Sequence, residues 1–345
     1  MHIVDADAHV LECHGTWSYL SKAEAAFEPV AVNAAMKSGA AEEFWLLDGR
    51  FLPKSQNMAI DTPRESRELT DVQARLRHMD RLGIDIQVIY PTVFLRPFTR
   101  RPEVESALYR SYNRWLADVW KAGKDRLRWV ALVPMLSMDK ALSELRWAKE
   151  HGACGVFMRG LEADKHLCDR YFFPLYEEAS RLDLAVCVHS GSGSFPMHDY
   201  YADETSFPKF KLLNVTAFHS LIFNGIPELF PKLRFGLIES GAQWVPYAVH
   251  DLVRRIERQR GSPKGQLKEN FLADNRFFVT CQTDDDLAYI LQYSGDDNLV
   301  IGTDYGHSDV SAEIDALKKI RQLPGVSAAV ADKILSDNAK RLYGL

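Results

Sequence analysis

Short apolar runs alternate with segments of helical period along nearly the whole chain, and this alternation limits the available folds more than any other feature. Runs fit for strands occupy 3–9, 84–90, 127–133, 153–159, 184–189, 233–239, 277–281 and 299–303. Segments with apolar residues three and four apart occupy 69–83, 103–123, 139–151, 173–182, 211–230, 244–258, 284–293, 311–322 and 327–342, with Asp139 placed as an N-terminal cap. Regular alternation favours parallel strands joined by right-handed crossovers. Eight such units favour a closed (β/α)8 TIM barrel over an open sheet, and no Gly-x-Gly-x-x-Gly follows the first strand to suggest a dinucleotide fold. Residues 13–68 break the rhythm. They read as a lid insertion after strand one, with a small hairpin over 44–52 around Asp48-Gly49. With no repeat, low-complexity stretch or linker, residues 1–345 read as one barrel domain.

A net charge of −5 argues against nucleic acid or an anionic membrane as partner. No apolar run approaches the roughly 18 residues that span a bilayer. The first residues lack a basic, apolar, small-residue leader pattern, and the five cysteines form an odd, scattered set without Cys-x-x-Cys. Together these features predict a cytoplasmic protein with buried thiols at Cys154, Cys187 and Cys281.

Active sites of such barrels lie at the carboxyl ends of the strands. Strand one carries Asp5, Asp7 and His9 at alternate positions, hence on one face. Three polar groups facing inward are costly unless paired. A divalent cation would pair them, whereas a hydrated acidic face is the alternative. The other strand ends supply Arg159, His189, Glu239 and Asp304, with His307 just beyond. A lone histidine there is usually structural. Asp7, His9, His189 and Asp304 at different strand ends instead point to a metal.

The stretches Asp7-x-His9, Val188-His189-Ser190-Gly191, Phe230-Pro231-Lys232-Leu233-Arg234-Phe235 and Gly302-Thr303-Asp304-Tyr305-Gly306-His307 carry a resemblance over nearly the whole chain. The chain resembles the amidohydrolase superfamily, in the branch of aminocarboxymuconate-semialdehyde and hydroxybenzoate-type decarboxylases. The resemblance implies hydrolysis or non-oxidative decarboxylation of a small organic acid, aromatic acids included, at a Zn2+ or Mn2+ held by Asp7, His9, His189 and Asp304. Asp7 stands where relatives carry His or Glu. In hydrolytic members the strand-eight carboxylate, here Asp304, also takes the proton of the attacking water. The decarboxylases use a histidine at the end of strand six for proton transfer, and this chain has Glu239 there.

Glu12, Glu239 and His307 add further donors, enough for a second ion. The alternative reading is therefore a dinuclear Fe or Mn/Fe oxygenase on the same barrel. Glu12 would otherwise cap a loop and His307 would orient a ligand. Arg159 either grips a substrate carboxylate or pairs with an internal acid, and His219 either meets substrate or packs a helix. Trp17, Trp45, Phe195, Tyr200, Tyr201 and Trp244 either wall a pocket or fill the core. The relatives imply a homodimer. A third reading is a non-catalytic subunit in a hetero-oligomer with a related chain.

Overall fold

The computed structural model describes residues 2–35, 41–54, 57–59, 61–258, 265 and 268–345. Eight parallel strands form one sheet in chain order: β1 Val4–His9, β2 Ile86–Tyr90, β3 Leu127–Ala131, β4 Ala153–Arg159, β5 Ala185–His189, β6 Phe235–Ile238, β7 Phe277–Cys281 and β8 Leu299–Ile301. Their apolar residues are almost wholly buried, as expected of strands covered on both faces. The sheet closes just past β8. Asp304 N–H donates to the Asp7 carbonyl at 2.9 Å, His9 N–H donates to the Tyr305 carbonyl at 2.9 Å, and Ala8 and Tyr305 form a parallel bridge. The expected (β/α)8 TIM barrel is thus the observed fold.

Two features make that closure possible. Gly302 lies against β1 so tightly that a Cβ there would sit 2.3 Å from the Asp7 Cβ. Below the rim, the Asp5 carboxylate is fully buried and ties three strands together. It accepts from Thr303 N at 2.9 Å, Thr303 Oγ1 at 2.6 Å and Gln87 Nε2 at 2.8 Å. Burial nevertheless pushes Asp5 up to about 6, with the Thr303 and Gln87 hydrogen bonds holding it back. Gln87 in turn accepts from Arg75 Nε at 2.7 Å, and the Arg75 guanidinium donates to the carbonyls of His9 and Ser66. This buried relay fixes the carbonyl end of β1.

The helices follow the predicted order with shifted ends. Met138–Glu150 begins at Ser137 rather than at Asp139, which lies inside the first turn. The expected helix over 211–230 breaks at Gly225, whose φ of 72° ends Leu212–Phe223 before Ile226–Leu229 restarts. The 311–322 segment is helical only at Ala316–Lys319 and a 3-10 turn, Ile320–Gln322. Cys154, Cys187 and Cys281 are buried free thiols.

The 13–68 insertion holds a hairpin, with Ala41–Leu47 paired to Arg50–Pro53 around Asp48-Gly49, and an added strand, Val30–Ala35. Residues 36–40, 55–56 and 60 of the insertion lie outside the described residues. Its end runs along the β8 loop, with Ala59 N–H on the Gly306 carbonyl and Ser308 N–H on the Asn57 carbonyl. Among the described residues, no helix is long and apolar enough to cross a membrane.

Replacing Thr303 by the near-isosteric valine removes one donor from the buried Asp5 carboxylate. A hydrogen bond to a charged group contributes about 1.5–3 kcal/mol. Urea denaturation should therefore show Thr303→Val less stable by about 2 kcal/mol, and a change below about 0.5 kcal/mol would remove Asp5 from its place in the closure.

Candidate metal centre

β1 and β5 lie on different sides of the barrel, yet their last histidines meet across its mouth. His9 Nδ1 lies 3.0 Å from the Pro91 carbonyl and His189 Nδ1 lies 3.0 Å from the Ser190 carbonyl. A carbonyl oxygen only accepts, so both Nδ1 atoms carry hydrogen. In the neutral rings both Nε2 atoms are then bare, and they face each other at 3.1 Å. Asp7 Oδ1, also an acceptor, lies 3.5 Å from His9 Nε2 and 3.4 Å from His189 Nε2. It is buried without a hydrogen-bond partner. Three acceptors crowded in a water-poor site repel one another unless a positive centre lies between them.

The spacing fits such a centre. Ligand atoms about 2.0–2.1 Å from a tetrahedral cation lie about 3.3–3.4 Å apart. Asp304 Oδ1 extends the set, 3.4 Å from His9 Nε2. Asp304 Oδ2 and Glu239 Oε2 are likewise buried without hydrogen-bond partners. The groups close enough to share an ion are Asp7-His9-His189, His9-Asp304-His307 and Glu239-Asp304-Asp309.

Backbone strain helps aim two of these side chains. Glu239 (φ 62°) and Asp304 (φ 50°) follow their strands in the left-handed region, uncommon for residues other than glycine. The Glu239 N–H is held by Thr280 Oγ1 at 2.7 Å. Glu239 Oε2 then reaches within 3.2 Å of His189 Nδ1 without displacing that atom's bond to Ser190.

Electrostatics separates the groups. Burial, then the neighbouring His307, push His9 down to about 3, which keeps Nε2 bare. Burial lifts Asp7, but His189 and His9 outweigh it and hold the carboxylate below its usual range. For His189 burial works downward, yet Glu239 and Asp7 raise it overall. Burial raises Glu239 and Asp304 well above ordinary carboxylates, and the mutual repulsion of the acids adds to it.

His307 is engaged on both ring nitrogens. Nδ1 lies 2.7 Å from Asp304 Oδ1 and Nε2 lies 2.9 Å from Thr92 Oγ1. Thr92 spends its one hydroxyl hydrogen on the Val10 carbonyl at 2.8 Å, so Nε2–H of His307 must be the donor to Thr92. The 2.7 Å contact with Asp304 therefore contains a further proton, shared by an imidazole and a carboxylate.

Other expected residues lie elsewhere. Both Glu12 oxygens accept backbone N–H groups, from Thr92 and Val93 at 3.0 Å each, so Glu12 caps the loop after β2 rather than joining the ligand groups. Arg159 is saturated from within: Nε and Nη2 bind Glu162 at 2.8 and 2.6 Å, and Nη1 binds the carbonyls of Phe94 and Arg96. It lines a different cavity, with Phe98, Glu105 and Glu162, from the one beside the centre. His219 pairs with Asp251 at 3.0 Å on the outer helices, away from the rim. Trp17 and Trp45 are core, and Tyr200 is exposed.

The cavity beside the centre is lined instead by Thr92, Arg96, Phe210, Lys211, Glu239 and Asp309, among others. Of these, sequence reasoning missed Asp309, Arg96 and Lys211. Asp309 and Arg96 sit in loops leaving strand ends, the one signal that pointed to them, whereas Lys211 ends the helical turn Phe207–Lys211.

A family model described as Amidohydrolase matches residues 4–345. The chain is 22% identical to the 2-amino-3-carboxymuconate-6-semialdehyde decarboxylase of Dictyostelium discoideum over 80% of its length and 77% of that protein's. An amidohydrolase of Mycobacterium avium subsp. paratuberculosis K-10 superposes with a TM-score of 0.76 at 20% identity, covering 99% of both chains. The dihydroxybenzoic acid decarboxylase of Polaromonas sp. JS666, solved with manganese and 2-nitroresorcinol, gives 0.71 at 19% identity over 100% of this chain and 97% of its own. At these identities the solved structures establish the common fold.

A cation and a proton compete for the same lone pairs. His189 and Asp304 both titrate above their ordinary ranges, whereas His9 does not compete near neutrality. Mn2+ affinity should thus be greatest near pH 8 and fall by about tenfold or more by pH 6, as titration calorimetry would read. Equal affinity at the two values would contradict this ligand set.

Proposed function

Because the chain belongs to the amidohydrolase family, we propose that it is a metal-dependent enzyme removing CO2, without oxidation, from a small aromatic acid. One Mn2+ or Zn2+ is held by Asp7, His9, His189 and Asp304. The observation that carries this reading is the convergence of Asp7 Oδ1, His9 Nε2 and His189 Nε2, 3.1–3.5 Å apart, at the mouth of the barrel. When bound, the cation supplies positive charge that orients an anionic substrate and stabilises charge developing on it.

The chain's own groups account for the proton. Loss of CO2 breaks a carbon–carbon bond and leaves its electron pair on carbon, which must then gain hydrogen. With a cation on Asp304, the proton of the Asp304–His307 contact would sit on His307 Nδ1, where it is placed to be given up, with Thr92 fixing the imidazole ring. That pair takes over the task of the strand-six histidine, which is Glu239 here. In a hydrolytic reaction the same pair would accept a proton from water. The 13–68 segment serves as a lid on a single barrel domain, its end lying beside His307 through the bridge between Met58 and His307. Decarboxylases among the relatives support the reaction class.

A second reading, a dinuclear Fe or Mn/Fe oxygenase, is favoured by one observation: Glu239, Asp304 and Asp309 form a further carboxylate group sharing Asp304 with the first.

Metal analysis and a CO2-release assay over a panel of hydroxylated benzoates test the proposal. About one metal per chain is expected, with release equal in air and under argon. Asp304→Asn should lower release by at least about a hundredfold, the scale of lost proton transfer. Two redox metals per chain with substrate-dependent O2 uptake would replace this reading with the second.

A further inference from the structure

The cavity beside the centre has a volume of about 60 Å³, room for a carboxylate group and little more. Its acidic side is Glu239 and Asp309, with His307 between the cavity and Asp304. Arg96, from the loop after β2, and Lys211, at the start of the Leu212–Phe223 helix, line the same space. Both are partly buried.

Among the described residues, neither side chain has a hydrogen bond or an ion pair within 4 Å. The Arg96 guanidinium only overlies the Phe210 ring, 5.3 Å from its centroid. Other partly buried arginines behave differently. Arg114 binds Glu144, Arg234 binds Asp183, and Arg126 and Arg128 donate to carbonyls. Removing a guanidinium from water without a partner costs free energy, so this arrangement needs an explanation.

The nearby acids offer a bland one, since Glu239 and Asp309 attract Arg96, and Lys211 acts on Asp304. Yet those carboxylates face the cation site and would be partly neutralised by it. Arg96 and Lys211 would then lose much of that attraction while still pointing into a cavity. A planar fork and a point charge on one small cavity suit a carboxylate, which takes two parallel N–H bonds from arginine and a third from lysine.

We propose that Arg96 and Lys211 form an anion subsite that grips a second carboxylate of the substrate, so that the enzyme prefers diacids over mono-acids. The inference rests on the metal-dependent reading above and adds to it the substrate's second charge. It also replaces Arg159, whose donors are occupied, as the carboxylate-binding arginine.

The test uses the full-length protein loaded with Mn2+ and titration calorimetry with two matched pairs, isophthalate against benzoate and glutarate against butyrate. At least one diacid should bind tenfold or more tightly than its mono-acid. Arg96→Met and Lys211→Met should each cut that preference at least fivefold, with mono-acid affinity within twofold and metal content unchanged. Lys211→Arg should retain most of it. Should one methionine variant fail to fold, the other and Arg96→Lys, with its fork removed, decide the matter. No diacid preference in the wild type, or a preference untouched by the substitutions, overturns the subsite. Loss of metal in the methionine variants, without a specific loss of diacid binding, overturns it too and assigns the pair to charge balance alone. A wild-type protein that takes up no Mn2+ sinks the metal-dependent reading itself, whereas normal metal and CO2 release without diacid preference sinks only the subsite.

Discussion

Two bare imidazole nitrogens 3.1 Å apart, with a partnerless carboxylate oxygen beside them, are the constraint on which the rim is built. Their polarity is set by backbone. The carbonyls of Pro91 and Ser190 each demand a hydrogen from Nδ1, which leaves Nε2 without one. Backbone carbonyls commonly fix the tautomer and orientation of metal-binding histidines in this way. The barrel contributes the rest, bringing β1 and β5 to one mouth although 180 residues separate the two histidines. Without a cation only a proton on His189 relieves this crowding of acceptors, whereas a cation would answer all three at once.

The closure of the barrel serves the same end. Asp5, Gln87, Arg75 and the His9 carbonyl form a buried chain that holds β1 at its last residue. Gly302 lets β8 come near enough for the Asp304 N–H to bond the Asp7 carbonyl. A bulkier residue there would push Asp304 away from His9. The left-handed backbone at Glu239 and Asp304 is tolerated because neighbouring strands over-determine it. Stability and site geometry are therefore not separable along β1 and β8.

Much of this was legible in the sequence, for identifiable reasons. Strand–helix alternation points to parallel strands because these require crossovers, and eight such units favour a closed barrel. Alternate positions on β1 put Asp7 and His9 on one face, and strand ends converge in this fold, so Asp7, His9, His189 and Asp304 could be named together. What failed depended on side-chain partners that no periodicity reveals. Arg159 ends β4 at a plausible place, but Glu162 three residues later claims it. Glu12 follows the ligands in sequence and is taken by the amides of Thr92 and Val93. His219 lies on a helix face that turns to Asp251. Asp309, Arg96 and Lys211 come from loops and a helix start, where a sequence gives distance along the chain but no direction in space.

The central claim is positional and has a positional test. Crystals of the Mn2+-loaded protein, measured at the manganese absorption edge, should show an anomalous peak about 2.0–2.3 Å from His9 Nε2, His189 Nε2 and an Asp7 carboxylate oxygen. A peak bound by other residues, or no peak among these three in protein that retains its metal, would contradict the account.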